Sequence, residues 1–233
     1  MSGAEHWESQ AERWAMWARR PNFDGYWSDS GPPFFALLPP PGRRTLEVGC
    51  GEGRVTRDLK ERGHSITGVD VAPTMIRLAR EADPEGDYLV ADAAELPFGD
   101  GTFDLVVAFN SLMDVDDMPA AVREAARVLD PVGRFCVCIT HPMRDAGRFD
   151  GTKFVIADDY LQKRRFELSV SRGGLDLHFK SWARPLEAYM RALEEAAFLV
   201  EALREPRDPD RHIPNFLLIR ALKRPAAEAS SPS

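Results

Sequence analysis

Short apolar runs and amphipathic stretches alternate along most of this chain. Leu105-Val106-Val107-Ala108-Phe109 and Phe135-Cys136-Val137-Cys138-Ile139 are apolar at every position, as parallel strands covered on both faces are. With their neighbours they predict strands at 44–49, 65–70, 87–91, 103–109 and 134–140. Helices are predicted between them at 53–62, 73–83 and 118–129. Pro73 stands at a first helical position, and Gly63 and Gly133 lie just past helix ends. Strand and helix in alternation imply a parallel sheet wound with right-handed crossovers. A further helix at 185–197 and apolar segments at 198–204 and 214–222 complete the predicted fold.

Two segments depart from this rhythm. In residues 5–20, Trp7, Ala11, Trp14 and Ala18 form a helical stripe, and Pro39-Pro40-Pro41-Gly42 terminates any helix before the first strand begins. In residues 142–183, Phe166–Arg172 and Leu175–Lys180 flank Gly173-Gly174 and read as a hairpin with a two-residue turn. Its register pairs Val170 with Leu177 and Leu168 with Phe179 on one face. Ser169 with His178 and Glu167 with Lys180 fall on the other. An apolar hairpin face needs something to cover, and the ligand-bearing edge of the sheet is the nearest candidate. The expected organisation is an N-terminal helical lid (1–41), a ligand-binding domain (42–224) with a cap insertion (142–183), and a disordered tail (225–233).

Chemistry concentrates in Thr45–Arg54, Thr-Leu-Glu-Val-Gly-Cys-Gly-Glu-Gly-Arg. A strand runs into Gly49, Gly51 and Gly53, and a helix follows. Such a loop lets backbone approach a ligand and aims unpaired N–H groups at it. Arg54 stands where a dinucleotide-binding fingerprint would place its third glycine. Acids end the next two strands. Asp70 is placed to accept from ribose hydroxyls, and Asp92 from an adenine amine. Two such acids sit poorly beside a pyrophosphate and well around an uncharged adenosine.

Leu46-Glu-Val-Gly-Cys-Gly-Glu-Gly53, Gly68-Val-Asp70, Ala91-Asp-Ala93, Leu96-Pro-Phe98 and Phe103-Asp-Leu-Val106 together resemble the class I S-adenosylmethionine-dependent methyltransferases, in the small-molecule group of ubiquinone/menaquinone-methylase type. Val128–Gly133 is similar to that family's Leu-x-Pro-Gly-Gly turn, with Val132 replacing the first glycine. The resemblance covers about residues 44–140. It implies a Rossmann-like α/β fold with a seven-stranded, mostly parallel sheet and helices on both faces. It also implies S-adenosyl-L-methionine as cofactor. Gly49 and Gly51 would line the methionine end, with Cys50 beside them and Glu47 supporting the loop. Asp70 and Val71 would meet the ribose, Asp92 and Ala93 the adenine, and Phe109 and Asn110 the methionine moiety and reacting methyl. Methyl transfer to oxygen, nitrogen or carbon of a small molecule is the expected reaction.

His141 and Asp114, after the fifth and fourth strands, are the candidate catalytic bases. Trp14, Trp17, Tyr26 and Trp27 would hold a sulfonium if the N-terminal segment covers the pocket; otherwise they pack a helix onto the domain. A net charge of −7, from 37 acidic and 30 basic residues, argues against a nucleic-acid partner. That reading would need Arg144, Arg148, Lys153, Lys163, Arg164 and Arg165 on one face, and Asp145, Asp150, Asp158 and Asp159 interrupt them. Three cysteines, Cys50, Cys136 and Cys138, give no disulfide framework and read as buried small hydrophobes. With no apolar run of membrane-spanning length and no secretory plan at the N-terminus, a cytoplasmic monomer or homodimer without metal is expected.

Overall fold

The computed structural model describes residues 1–156, 159–207 and 212–224. In chain order the elements are α1 (Gly3–Ala18), a π-helical turn (Tyr26–Ser30), α2 (Gly31–Leu37), β1 (Thr45–Val48), α3 (Arg54–Glu61), β2 (Ile66–Asp70), α4 (Pro73–Ala82), β3 (Asp87–Val90), β4 (Phe103–Phe109), α5 (Met118–Val128) and β5 (Leu129–Thr140). There follow α6 (Pro142–Asp145), β6 (Gly147–Asp150), β7 (Lys153–Ile156), β8 (Arg164–Arg172), β9 (Leu175–Ala183), α7 (Leu186–Glu195), β10 (Phe198–Arg204) and β11 (Phe216–Lys223). The expected tail at 225–233 and Asp158 lie outside the described residues.

Seven strands form one sheet in the order β10-β11-β5-β4-β1-β2-β3. All neighbours pair in parallel except β11, which runs antiparallel to both β5 and β10. The expected α/β sheet is therefore present. Apolar side chains fill both faces. On one side, Phe103, Val106, Val137 and Ile139 pack with Met118, Val122 and Leu193. On the other, Leu105, Val107, Cys136 and Cys138 pack with Phe34, Val55 and Leu59. Cys50 is buried as well, and all three thiols are free. The chain leaves β1 toward β2 on one side and reaches β4 on the other, so a crevice opens at the carboxyl ends of β1 and β4. Open α/β sheets bind ligands at such a switch point.

The hairpin register agrees with the expectation at every pair, Val170–Leu177, Leu168–Phe179, Ser169–His178 and Glu167–Lys180. Two differences stand out. The fifth strand begins at Leu129, paired with Phe103, and resumes regular pairing at Arg134 after an irregularity. Pro131 lacks the N–H that the ladder would need, and β5 runs on through it to Thr140. A second hairpin, β6–β7, precedes the expected one.

Helix α1 is fixed at both ends. Ser2 and Glu5 form a reciprocal capping box at its start. At its end, Arg19 Nε donates to the buried Glu52 of the glycine loop at 2.8 Å, and Arg54 Nη1 donates to the Ala18 carbonyl at 2.8 Å. Between these, Trp7, Ala11 and Trp14 pack on Ala72 and Met75, while Trp17 packs on Leu175 and Leu177. The helix thus bridges the tip of β2 and the β8–β9 hairpin, with the sheet's ligand edge beneath it.

Candidate functional site

Three strand tips make the floor of the site. At the end of β1 the chain turns through Gly49, Gly51 and Gly53, at φ of 73°, 55° and 82°. Gly49 and Cys50 N–H both donate to the Val69 carbonyl, at 2.8 and 2.9 Å, which folds the loop back over β2. A methyl group at Gly49 would collide with Ser111, whose Oγ would lie 2.8 Å from it. That hydroxyl donates to the Val48 carbonyl at 2.6 Å, so the close approach is part of the turn.

Asp70 ties the second tip to the first. Its Oδ2 accepts from Gly51 N–H and its Oδ1 from Ala72 N–H, each at 2.9 Å. Burial raises its carboxyl above the usual range, opposed by these N–H donors. Glu47 lies beneath the loop, 1% exposed, and accepts from the Thr56 hydroxyl. Burial pushes its carboxyl up to about 8, with the Thr56 bond pulling the other way. It is therefore largely protonated at neutral pH.

Asp92 caps the third tip, its Oδ1 accepting from Ala94 N–H at 2.9 Å, with Ala93 buried beside it. At the tip of β4, Asn110 takes φ 50°, unusual for a residue with a side chain but tolerated best by Asn. Its N–H donates to the Cys138 carbonyl at 2.8 Å. No sequence pattern marks this left-handed residue, which turns the chain sharply at the crevice.

A cavity of about 720 Å³ joins these tips, toward the upper end of the ~300–1,000 Å³ usual for small-molecule sites. Glu47, Gly49, Cys50, Gly51, Asp70, Val71, Asp92, Ala93, Phe109 and Asn110 all line it. Its roof comes from α1, through Trp7, Trp14 and Trp17, and from the hairpin, through Phe166, Leu168, Val170 and Phe179. Tyr26 also reaches it. Trp27 is instead 53% exposed and stacks edge-on against Tyr26 outside the lining.

The two expected bases part company. Asp114 lines the cavity, and burial pushes its carboxyl well above the usual range despite the opposing charge of Arg184. His141 is corrected: it does not line the cavity. Pro142 opens α6 directly after it, so His141 caps that short helix through Nδ1, which accepts from Met143 N–H at 3.2 Å. Its Nε2 meets Glu205 at 2.9 Å. Both ring nitrogens are engaged away from the site. Asp145, four residues on, lines the cavity instead. It accepts from the Thr140 hydroxyl at 2.9 Å, and burial pushes it up to about 6.

Three basic residues of the insertion are engaged within the protein. Arg165 pairs with Asp116 at 3.0 Å, Arg164 donates to the Asp145 carbonyl, and Lys163 and Arg165 lie over Trp182. Among the described residues no group of His, Cys, Asp and Glu could hold a metal ion, and no helix is long and apolar enough to cross a membrane.

Comparison with known proteins agrees with this geometry. The profile of the methyltransferase domain family matches residues 46–137. A demethylmenaquinone methyltransferase of Tropheryma whipplei is 34% identical over 111 residues, 46% of this chain and 46% of that protein. A ubiquinone biosynthesis O-methyltransferase of Xanthomonas oryzae pv. oryzae is 32% identical over 151 residues, 57% of this chain and 61% of that protein. This chain thus aligns with roughly half the length of these curated relatives. Among solved structures, an S-adenosylmethionine-dependent methyltransferase from Mesorhizobium loti superposes with a TM-score of 0.70 at 26% identity, covering 86% of this chain and 98% of that one. The strand order, the glycine turn and these likenesses converge on residues 46–137, which match the methyltransferase domain family and carry a fold like that of the Mesorhizobium loti enzyme.

Proposed function

We propose that this protein binds S-adenosyl-L-methionine across the tips of β1, β2 and β3 and transfers its methyl group to a small-molecule nucleophile. The observation that carries this reading is one cavity wall holding Gly49–Gly51, Asp70, Asp92–Ala93 and Phe109–Asn110 together. The residues suit the cofactor. The Gly51 position is open, a methyl there meeting only the Trp14 indole, Nε1 at 3.4 Å, so backbone is presented bare to a ligand. Asp70 is already oriented by two N–H donors, leaving lone pairs for ribose hydroxyls. Asp70, Asp92 and Asp145 give the cavity an acidic lining, which favours a cation and opposes a pyrophosphate. Arg54, also in the lining, is engaged by Asp24 at 2.8 Å.

When bound, S-adenosylmethionine supplies a methyl group already activated by its positive sulfur. The chain has then to place an acceptor in line with it and exclude water. Good positioning of this kind lowers a barrier by ~7–11 kcal/mol. Phe109 and Asn110 shape the point where acceptor and cofactor meet. The aromatic roof of α1 and the β8–β9 hairpin acts as a lid whose apolar face keeps water out. A roofed cavity suits a small acceptor better than a polymer. The N-terminal 41 residues and the 142–183 insertion are thus the acceptor-selecting parts, set on the cofactor-binding domain. Buried, unpaired thiols fit action in the reducing cytoplasm, as a monomer or homodimer.

Incubation with methyl-labelled S-adenosylmethionine and a metabolite extract tests the assignment. Label should pass into small molecules with stoichiometric S-adenosylhomocysteine. Cofactor left intact, or label confined to nucleic acid, would overturn it.

A further inference from the structure

Most polar atoms of the cavity wall already have partners. Asp116 accepts from Gly3 N–H at 3.0 Å and from Trp182 Nε1 at 2.8 Å. Asp145 holds the Thr140 hydroxyl. Among the described residues, three buried side-chain polar atoms lack a hydrogen bond, and of these only Trp7 Nε1 belongs to a residue lining the cavity. A buried N–H without an acceptor costs roughly 1–3 kcal/mol, so its retention at a ligand site calls for a use.

Docking of the first turn of α1 brings that N–H into place. Gly3 abuts the 114–116 loop so tightly that a methyl on it would lie 3.0 Å from the Asp114 carbonyl oxygen. One turn later Trp7 packs edge-on to Trp14 and Phe179, with ring centroids 6.0 and 6.4 Å apart. Its indole N–H faces the Asp114 carboxyl and favours its ionised form, but the two do not close into a hydrogen bond. One donor and one acceptor thus stand side by side under an apolar roof.

We propose that Trp7 Nε1 and the Asp114 carboxylate form the acceptor-recognition pair, selecting a flat apolar molecule that carries a hydroxyl. The reaction is then an O-methylation. This rests on the methyl-transfer reading above. A hydroxyl oxygen has two lone pairs and one proton. It takes the Trp7 N–H on one lone pair, attacks with the other and gives its proton to Asp114. An amine nitrogen has a single lone pair, which the Trp7 donor would occupy, and a protonated amine would meet that donor unfavourably. In the transfer, the hydroxyl oxygen forms the new O–C bond while the methyl's bond to sulfur breaks and its electron pair stays on sulfur. The proton ends on Asp114, which takes it in the ionised form that Arg184 and the Trp7 N–H favour against burial. Phe166, Leu168 and Val170 along β8, with Phe179 on β9, supply the flat apolar surface. Trp7 lies outside the segment matched by the methyltransferase domain family.

The test uses the full chain saturated with S-adenosylhomocysteine and titrated calorimetrically with phenol, catechol and 2-naphthol, each against the amine of the same shape. At least one phenol should bind, its amine about tenfold or more weaker. Trp7→Phe should weaken that phenol about tenfold and leave S-adenosylhomocysteine affinity and melting temperature near wild type. Asp114→Asn should keep phenol binding within a few fold yet slow its methylation by about a hundredfold or more. Amines bound as tightly as phenols, phenol affinity unmoved by Trp7→Phe, or S-adenosylhomocysteine bound but every phenol refused would each overturn the pair alone. Failure to bind S-adenosylhomocysteine would overturn the methyl-transfer reading with it.

Discussion

Replacement of Asp70 probes the joint between fold and cofactor. Asp70→Ala removes both acceptors that hold Gly51 N–H and Ala72 N–H. Bonds to an ionised acceptor contribute ~1.5–3 kcal/mol each. Water entering from the cavity replaces part of that, so a stability loss of ~2–4 kcal/mol is expected, read from urea denaturation. The effect on ligand should be larger in proportion. Two ribose hydroxyls lose a charged acceptor, and the glycine loop loses its anchor to β2. At ~1.4 kcal/mol per decade, S-adenosylhomocysteine affinity should fall about a hundredfold or more. Asp70→Asn separates the two effects. It keeps one acceptor oxygen but sets an NH₂ against a backbone N–H, and should be intermediate in both measurements. A folded Asp70→Ala protein that binds S-adenosylhomocysteine within about threefold of wild type would refute the assignment of Asp70 to the ribose.

Glu47→Gln should reveal a pH-dependent cost in the wild type. The folded carboxyl sits at about 8 against an ordinary 4.5, so the folded state holds its proton more tightly, and the stability this gives is lost as pH rises from 4.5 toward 8. Urea titrations should find the two proteins similar at pH 5 and the Gln variant more stable at pH 8 by ~3–5 kcal/mol; parallel profiles would contradict this. Gly49→Ala combines positive φ with the Ser111 collision and should lose ~2–4 kcal/mol. Gly51→Ala has room and should lose ~1–2 kcal/mol, chiefly backbone strain, so equal losses in denaturation would show that the contact with Ser111 is not what matters. Arg19→Ala removes one of the two arginines on buried Glu52 and should speed hydrogen exchange at the C-terminal end of α1. Unchanged protection there would mean that α1 is held by its aromatic face alone.

The sheet was legible because buried parallel strands leave little choice of residue: Leu105–Phe109 and Phe135–Ile139 are apolar throughout and lie at its centre. The β8–β9 register followed from Gly173-Gly174, since a two-residue turn fixes every later pair. The β6–β7 hairpin carried no comparable signal; its strands are four residues each and mix charge with apolar positions. His141 was misplaced by proximity in sequence. It does follow a strand end, but Pro142 starts a helix there, and the capping bond to Met143 and the contact with Glu205 draw the ring away. Asp145 occupies the wall instead because one helical turn brings it back to Thr140. Of Trp14, Trp17, Tyr26 and Trp27, read either as holding a sulfonium or as packing a helix onto the domain, the first three line the cavity and Trp27 does not. In the α1 stripe, Ala11 is buried packing, while Trp7, Trp14 and Ala18 also line the cavity. No sequence pattern marks Trp7 Nε1 as unpartnered, because that depends on how α1 docks on the loop at Asp114 and Asp116.

The tips of β1, β2 and β3 are proposed to cradle an adenosyl sulfonium and not a dinucleotide. Calorimetric titration of the wild-type protein with S-adenosylhomocysteine, and separately with NADH, tests it most directly. Saturable one-site binding of S-adenosylhomocysteine and no saturable heat with NADH are expected. Binding of NADH as tightly as S-adenosylhomocysteine, or no binding of S-adenosylhomocysteine by folded protein, would contradict it.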